Sequence, residues 1–218
     1  MKVKIPRWSG LLVLICLPVL LCGQNNRLIE ISAGVKHSLS YNDNTEGRPG
    51  YMISAEMFVP SYRVAVKYGI GFNRSSQFKS FVSGSRNISL RDVTYDTYSA
   101  TVPILASIGL PDQRRFALET GIVIDLHLTT IASGVQRTFS WMSLETTEAE
   151  FRRHGNLRFP DFLLRIAFRS QLYKERYGLK IGYDHGLRDL RVDRGMYSRN
   201  LYFALLIHFS GGGGGSAE

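Results

Sequence analysis

Asn200-Leu-Tyr-Phe-Ala-Leu-Leu-Ile-His-Phe209 is the stretch whose reading decides the fold. Leu201, Phe203, Leu205, Ile207 and Phe209 recur at period two and share one face of an extended chain. Tyr202, Ala204, Leu206 and His208 share the other. An unbroken apolar face that ends in an aromatic suits a strand in contact with lipid, since about nine to eleven tilted residues cross a bilayer as β-structure. The rest of the chain is then read as the strands that pair with this one.

Working outward, the same alternation recurs over 28–41, 51–59, 62–74, 95–110, 117–130, 161–172 and 177–187. With the closing stretch these make eight strands. Their connections run long, short, long, short, long, short, long, with turn chemistry such as Arg48-Pro-Gly50 in the long ones. Outer-membrane barrels have this asymmetry, with short periplasmic turns, longer external loops and an even strand count. The predicted fold is all-β, a closed antiparallel eight-stranded transmembrane β-barrel. The edges of the 75–93 connection are expected to extend the flanking strands, and 131–160 is expected to be a polar, charged loop.

The distribution of charge separates a barrel from a soluble sandwich. One face of each stretch is almost free of formal charge, for example Leu118, Ile122, Ile124, Leu126 and Leu128. The opposite faces carry Glu30, Lys36, Glu56, Arg63, Lys67, Glu119, Asp125, Arg165, Arg169, Lys180 and Asp184. A sandwich turns its charged face to water, whereas a barrel in lipid turns it inward, because a cation facing hydrocarbon costs ~2–4 kcal/mol near the midplane. Tyr51, Tyr68, Phe72, Tyr98, Phe162 and Tyr183 lie toward strand ends, as interfacial girdles require.

The ends fit export. Lys2, Lys4 and Arg7 precede an apolar run from Leu11 to Leu21 and then Cys22-Gly23, the pattern of a signal peptide over 1–23. An uncleaved anchor is the alternative, though the run is shorter than the roughly eighteen residues a span needs. Residues 210–218, with five consecutive glycines, read as an engineered linker remnant, which leaves 24–209 as the barrel domain. Both cysteines fall within 1–23, so disulfides and thiolate metal sites are excluded from the barrel. Without Lys2, Lys4 and Arg7 the 27 basic residues fall to 24, and without Glu218 the 18 acidic ones fall to 17, a net charge of +7. For an exported chain such a balance points to lipid phosphates rather than nucleic acid.

Several segments resemble a known family. Tyr98-Ser-Ala-Thr-Val-Pro-Ile-Leu105 is similar to the tyrosine-to-proline strand of the PorT-like outer-membrane β-barrel family of Bacteroidota, and Leu118-Glu-Thr-Gly121 to the strand that follows it there. Tyr177-Gly-Leu-Lys-Ile-Gly-Tyr-Asp-His-Gly-Leu187 resembles the penultimate strand, and Met196-Tyr-Ser-Arg-Asn200 with the aromatic strand completes the likeness. The chain departs from that pattern in its long, basic third external loop. The resemblance implies an outer-membrane location and membership of functionally diverse barrels, some associated with secretion machinery; it implies no active site.

An eight-stranded barrel is just wide enough for side chains to fill. The eleven inward charges, five acidic and six basic, are therefore expected to form a paired ionic plug. Asp125 and His127 share a face, and His127-Leu-Thr129 loosely resembles the histidine-x-serine pair of lipid A deacylase barrels. The five histidines show no metal-ligand spacing, Gly69-Ile-Gly71 lacks the context of a nucleotide fingerprint, and no cofactor is expected. In the third loop, Arg137, Arg152, Arg153 and Arg158 suit lipid phosphates, and Phe139, Trp141, Met142 and Leu144 suit a protein partner. The leading expectation is a non-catalytic accessory or structural subunit of an outer-membrane complex for secretion, barrel assembly or uptake, in contact with lipopolysaccharide. The alternatives are a small-barrel lipid A-modifying enzyme and a narrow pore.

Overall fold

A computed structural model describes residues 28–39, 45–59, 64–83, 87–110, 113–155, 160–172, 176–189 and 197–210. The strands are β1 (Leu28–Ser38), β2 (Glu46–Val59), β3 (Val64–Ser83), β4 (Ile88–Leu110), β5 (Gln113–Ser140), β6 (Glu145–Gly155), β7 (Asp161–Leu172), β8 (Tyr177–Asp189) and β9 (Tyr197–Ser210). The described residues contain no helix.

Alternating residues make two-faced strands, and two-faced strands that curl onto themselves remove their edges. Pairing runs β4-β3-β2-β1-β9-β8-β7-β5, and β4 also pairs with β5, so eight strands close into an antiparallel ring. The stretch that opened the sequence reading is the closing strand. Residues Leu28 to Ser38 of β1 pair without interruption with Ser210 to Asn200 of β9. Leu201, Phe203, Leu205, Ile207 and Phe209 are exposed on the outside, while Tyr202, Ala204, Leu206 and His208 are buried inside. Apolar residues face out and ionised groups face in around the whole ring, the inverse of a soluble protein and the arrangement a bilayer imposes.

The 75–93 connection extends its flanking strands, as expected, and much of the expected 131–160 loop is sheet. β3 and β4 extend to Ser83 and Ile88, and β5 runs on to Ser140. A ninth strand, β6, folds back along it in eleven consecutive pairs from Thr130↔Gly155 to Ser140↔Glu145. This corrects the loop expected over 131–160. Val135, Thr138, Phe139, Thr146, Thr147 and Phe151 favour extended chain, but water on both faces erases the apolar period by which strands are recognised. The result is a four-stranded arm, β3 to β6, standing above the barrel wall.

The level at which lipid ends is marked on the outside. Rings of Tyr51, Phe72 and Tyr98 form a ladder across β2, β3 and β4 with successive centroids 6.3 Å apart. Immediately above it, Arg74 donates to Asp96 at 2.9 Å. An aromatic girdle capped by an ion pair is what an outer interface requires.

Candidate functional site: the charged interior and the external arm

The half of the lumen at the end where β1 begins and β9 ends holds a cage of charge. Lys67 projects inward from β3, and its Nζ lies 2.6 Å from Glu30 Oε1, 2.8 Å from Glu56 Oε2 and 2.7 Å from Glu119 Oε1. Lys180 projects from β8 to the same three carboxylates, 3.0 Å from Glu30 Oε1, 3.0 Å from Glu56 Oε2 and 3.1 Å from Glu119 Oε2. An ammonium has three N–H donors, and each lysine here meets three acids from three strands. Arg169 adds a third cation, 3.3 Å from Glu30 Oε2 and 3.5 Å from Glu119 Oε1. His208 Nε2 lies 2.9 Å from Glu30 Oε2.

Three carboxylates thus face three permanent cations, and both lysines and all three glutamates are fully buried. Further contacts close the cage. Ser32 and Ser54 hydroxyls lie 2.6 Å apart, and Ser54 donates to the free oxygen of Glu56 at 2.9 Å. Phe58 lies beneath, its ring centroid 4.5 Å from Lys67 Nζ and 4.8 Å from Arg169 Cζ. Buried charge is tolerable only when paired, and here every charge has a partner, although Glu119 Oε2 and Arg169 Nε meet theirs without a hydrogen bond.

Above the cage, Arg165 binds Asp184 through two parallel bonds, Nε to Oδ1 at 2.7 Å and Nη2 to Oδ2 at 2.9 Å. Its guanidinium lies 4.8 Å from the Tyr202 ring. Tyr202 has room because Gly182 on β8 has no side chain; a Cβ there would strike the phenol. With Met52 and Ala167, Tyr202 forms a small apolar layer across the lumen.

Toward the external mouth the pairing thins. Lys36 and Asp125 are buried and make no direct ion pair among the described residues, although Lys36 acts electrostatically on Asp184 from farther off. Asp125 stands opposite Asp161 on β7 and Thr101 on β4. Direct pairing is thus seen in the cage and at Arg165–Asp184, and not at this level among the described residues. Arg63 lies outside the described residues, as does Arg158.

The resemblance of His127 and Thr129 to a catalytic pair does not survive the backbone. A bulge shifts the β4–β5 register so that Tyr98 opposes Thr129 while Ser99 opposes His127. Tyr98 and Ser99 are consecutive and face opposite ways, so His127 and Thr129 do too. The hydroxyl that meets His127 is Ser99, with its Oγ 3.4 Å from Nδ1, and Ser99 is sealed in the wall. Among the described residues, no group of three or more His, Cys, Asp or Glu is arranged to hold a metal ion.

The arm carries the other residues singled out in the sequence. At its apex Trp141, Met142 and Leu144 are 69%, 101% and 75% exposed. Phe139 packs edge-on against Trp141 with centroids 5.0 Å apart. The apex is clasped to the neighbouring hairpin, where Phe139 N donates to Asn87 O at 2.9 Å and Trp141 Nε1 to Asn87 Oδ1 at 2.8 Å. Arg137 pairs with Glu148 across the hairpin. Arg153 donates to Gln136 Oε1 at 3.0 Å. Arg152 and Arg153 sit opposite Ser133 and Ala132, low on the arm, whereas Arg137 sits near its top.

Sequence reasoning did not single out Phe58, and it placed Tyr202, Ser54 and His208 on inward faces without naming their contacts. The same alternation turns Phe58 inward and could have found it.

No family model matches the chain, and no curated protein sequence matches it. Among solved structures, the chain is similar to Ail, the attachment invasion locus protein of Yersinia pestis, solved in complex with the heparin analogue sucrose octasulfate. Identity there is 10%, coverage is 85% of this chain and 100% of Ail, and the TM-score is 0.44. It is also similar to Neisserial surface protein A at 5% identity, covering 84% of this chain and 96% of that one with a TM-score of 0.36. The translocator domain of the autotransporter NalP from Neisseria meningitidis follows at 10% identity, 92% and 94% coverage and a TM-score of 0.27. At such identities the likeness concerns fold alone, and the closed ring, outward apolar wall and buried charges described above make this chain a transmembrane β-barrel on their own account.

Proposed function

We propose that the chain is a non-conducting, non-catalytic outer-membrane barrel that serves as an accessory or structural subunit of an outer-membrane protein complex. The observation that carries this reading is the cage of Lys67, Lys180, Glu30, Glu56 and Glu119, fully buried across the lumen. A lumen filled by paired charges leaves no path for ions and no space for a substrate. The feature left to act is the arm, with its apolar apex and its low-lying arginines. The resemblance of Tyr98–Leu105 and Tyr177–Leu187 to the PorT-like family supports a role beside secretion, barrel-assembly or uptake machinery. Lipopolysaccharide is the expected lipid neighbour. Arg152 and Arg153 stand about 10–13 Å along the strand above the aromatic ladder, within reach of phosphate headgroups.

Gentle detergent extraction tests the role. The full chain should co-purify with at least one outer-membrane protein, and deletion of residues 139–144 should release it. Retention of every co-purifying chain after that deletion sinks the docking role. Planar-bilayer recordings test the closed lumen, and large, steady openings would overturn it.

A further inference from the structure

We infer that β6 is a homotypic docking strand, which pairs antiparallel with the β6 of a second copy held in a facing membrane. The inference goes beyond the subunit role above and does not rest on it.

Three observations lead there. Among the described residues β6 pairs with β5 alone, so its other side is an open strand edge eleven residues long. It contains no proline, and its register with β5 is unbroken, so two of the usual devices that blunt an edge are missing. An open edge of this kind accepts another strand.

The charge order selects the occupant. β6 reads Glu145-Thr-Thr-Glu-Ala-Glu-Phe-Arg-Arg-His-Gly155, acidic in its first half and basic in its second. An antiparallel copy centred on Phe151 sets Glu150 against Arg152, Glu148 against His154 and Phe151 against Phe151, and symmetry repeats the Glu150–Arg152 ion pair. Glu150 and Arg152 form no ion pair within the chain among the described residues, since they stand opposite Val135 and Ser133.

The membrane selects the direction. Two copies in one bilayer are related by an axis along its normal, so their β6 strands rise in the same sense and can pair only in parallel. Parallel pairing in register sets Glu150 on Glu150 and Arg152 on Arg152, which repel. Antiparallel pairing needs an axis lying in the membrane plane, and hence two membranes face to face.

The apex fits this geometry. From Phe151 to the end of β6 at Glu145 is six residues, about 20 Å of strand. From Gly134, opposite Phe151, down to Thr129 at the aromatic ladder is five residues, about 17 Å. In the paired state the apex of each arm therefore arrives at the lipid interface of the other, where exposed Trp141, Met142 and Leu144 find an apolar medium.

The test uses the full chain reconstituted in phosphatidylcholine vesicles, with clustering followed by light scattering and folding checked by heat-modifiable gel mobility. Wild-type vesicles should cluster. Glu150→Arg vesicles should not, because the new cation meets Arg152 of the facing copy, and Arg152→Glu vesicles should not for the mirrored reason. Each change should lower association about tenfold or more. Mixing the two variant populations should restore clustering, since each then meets its complement. Wild-type vesicles that stay dispersed, clustering that persists in both variants, or a mixture that stays dispersed would each overturn the inference.

Discussion

Replacing Lys67 by methionine removes one of the two ammonium groups that bridge Glu30, Glu56 and Glu119. In the native cage three carboxylates are balanced by Lys67, Lys180 and Arg169. After Lys67→Met the same three carboxylates share two cations, and one negative charge is left uncompensated in a lumen sealed from water. Breaking a buried pair by removing one partner costs about 3–5 kcal/mol, against ~0–1 kcal/mol for an exposed pair. With a denaturant dependence of about 1–3 kcal/mol per molar urea, the unfolding midpoint should fall by roughly 1–5 M. The double change Lys67→Met with Glu56→Gln restores the balance and should regain most of that loss. Unfolding in detergent micelles should be followed by far-ultraviolet circular dichroism and gel mobility. Trp141, the sole tryptophan of the barrel domain, stands on the arm and does not report on the cage. A Lys67→Met loss below ~1 kcal/mol, or a double variant no better than the single, would refute the cage as the feature that holds the ring together.

Arg165→Met leaves Asp184 buried without its two-bond partner and should cost about 3–5 kcal/mol, most of it recovered when Asp184→Asn is added; urea midpoints of the parent and the two variants decide this. Gly182→Ala places a methyl against the Tyr202 phenol and 2.8 Å from Ala167 Cβ, and should lower the unfolding free energy by about 1–3 kcal/mol in the same assay. Ile104→Arg puts a cation on the hydrocarbon side near mid-span and should cost ~2–4 kcal/mol on refolding into vesicles. Met142→Arg at the fully exposed apex should stay within about 0.5 kcal/mol of the parent. Equal losses at the two positions would mean that the bilayer does not cover Ile104.

The ring was legible because one physical constraint writes itself on every residue of a spanning strand. Charges at Glu30, Lys67, Glu119 and Lys180 had to point away from lipid, and the period of two says which way each points. The arm was not legible for the converse reason. Arg137, Gln136 and Glu148 lie on a sheet wetted on both faces, where no solvent contrast imprints a period. That Thr129 turns away from His127 was not legible either, because a bulge is a single extra residue in the pairing and nothing local in Leu126–Thr130 reports it.

The sequence by itself determined that eight strands turn an apolar face to lipid and a charged face inward, since alternation and the cost of charge in hydrocarbon are properties of the chain read one residue at a time. Only the tertiary structure decided which acids meet which bases, that Lys67 and Lys180 share the same three glutamates, and that Lys36 and Asp125 do not find such partners. Those outcomes depend on how far each strand is sheared against its neighbour around the ring. Closure fixes that stagger for all eight strands at once, and no single strand encodes it.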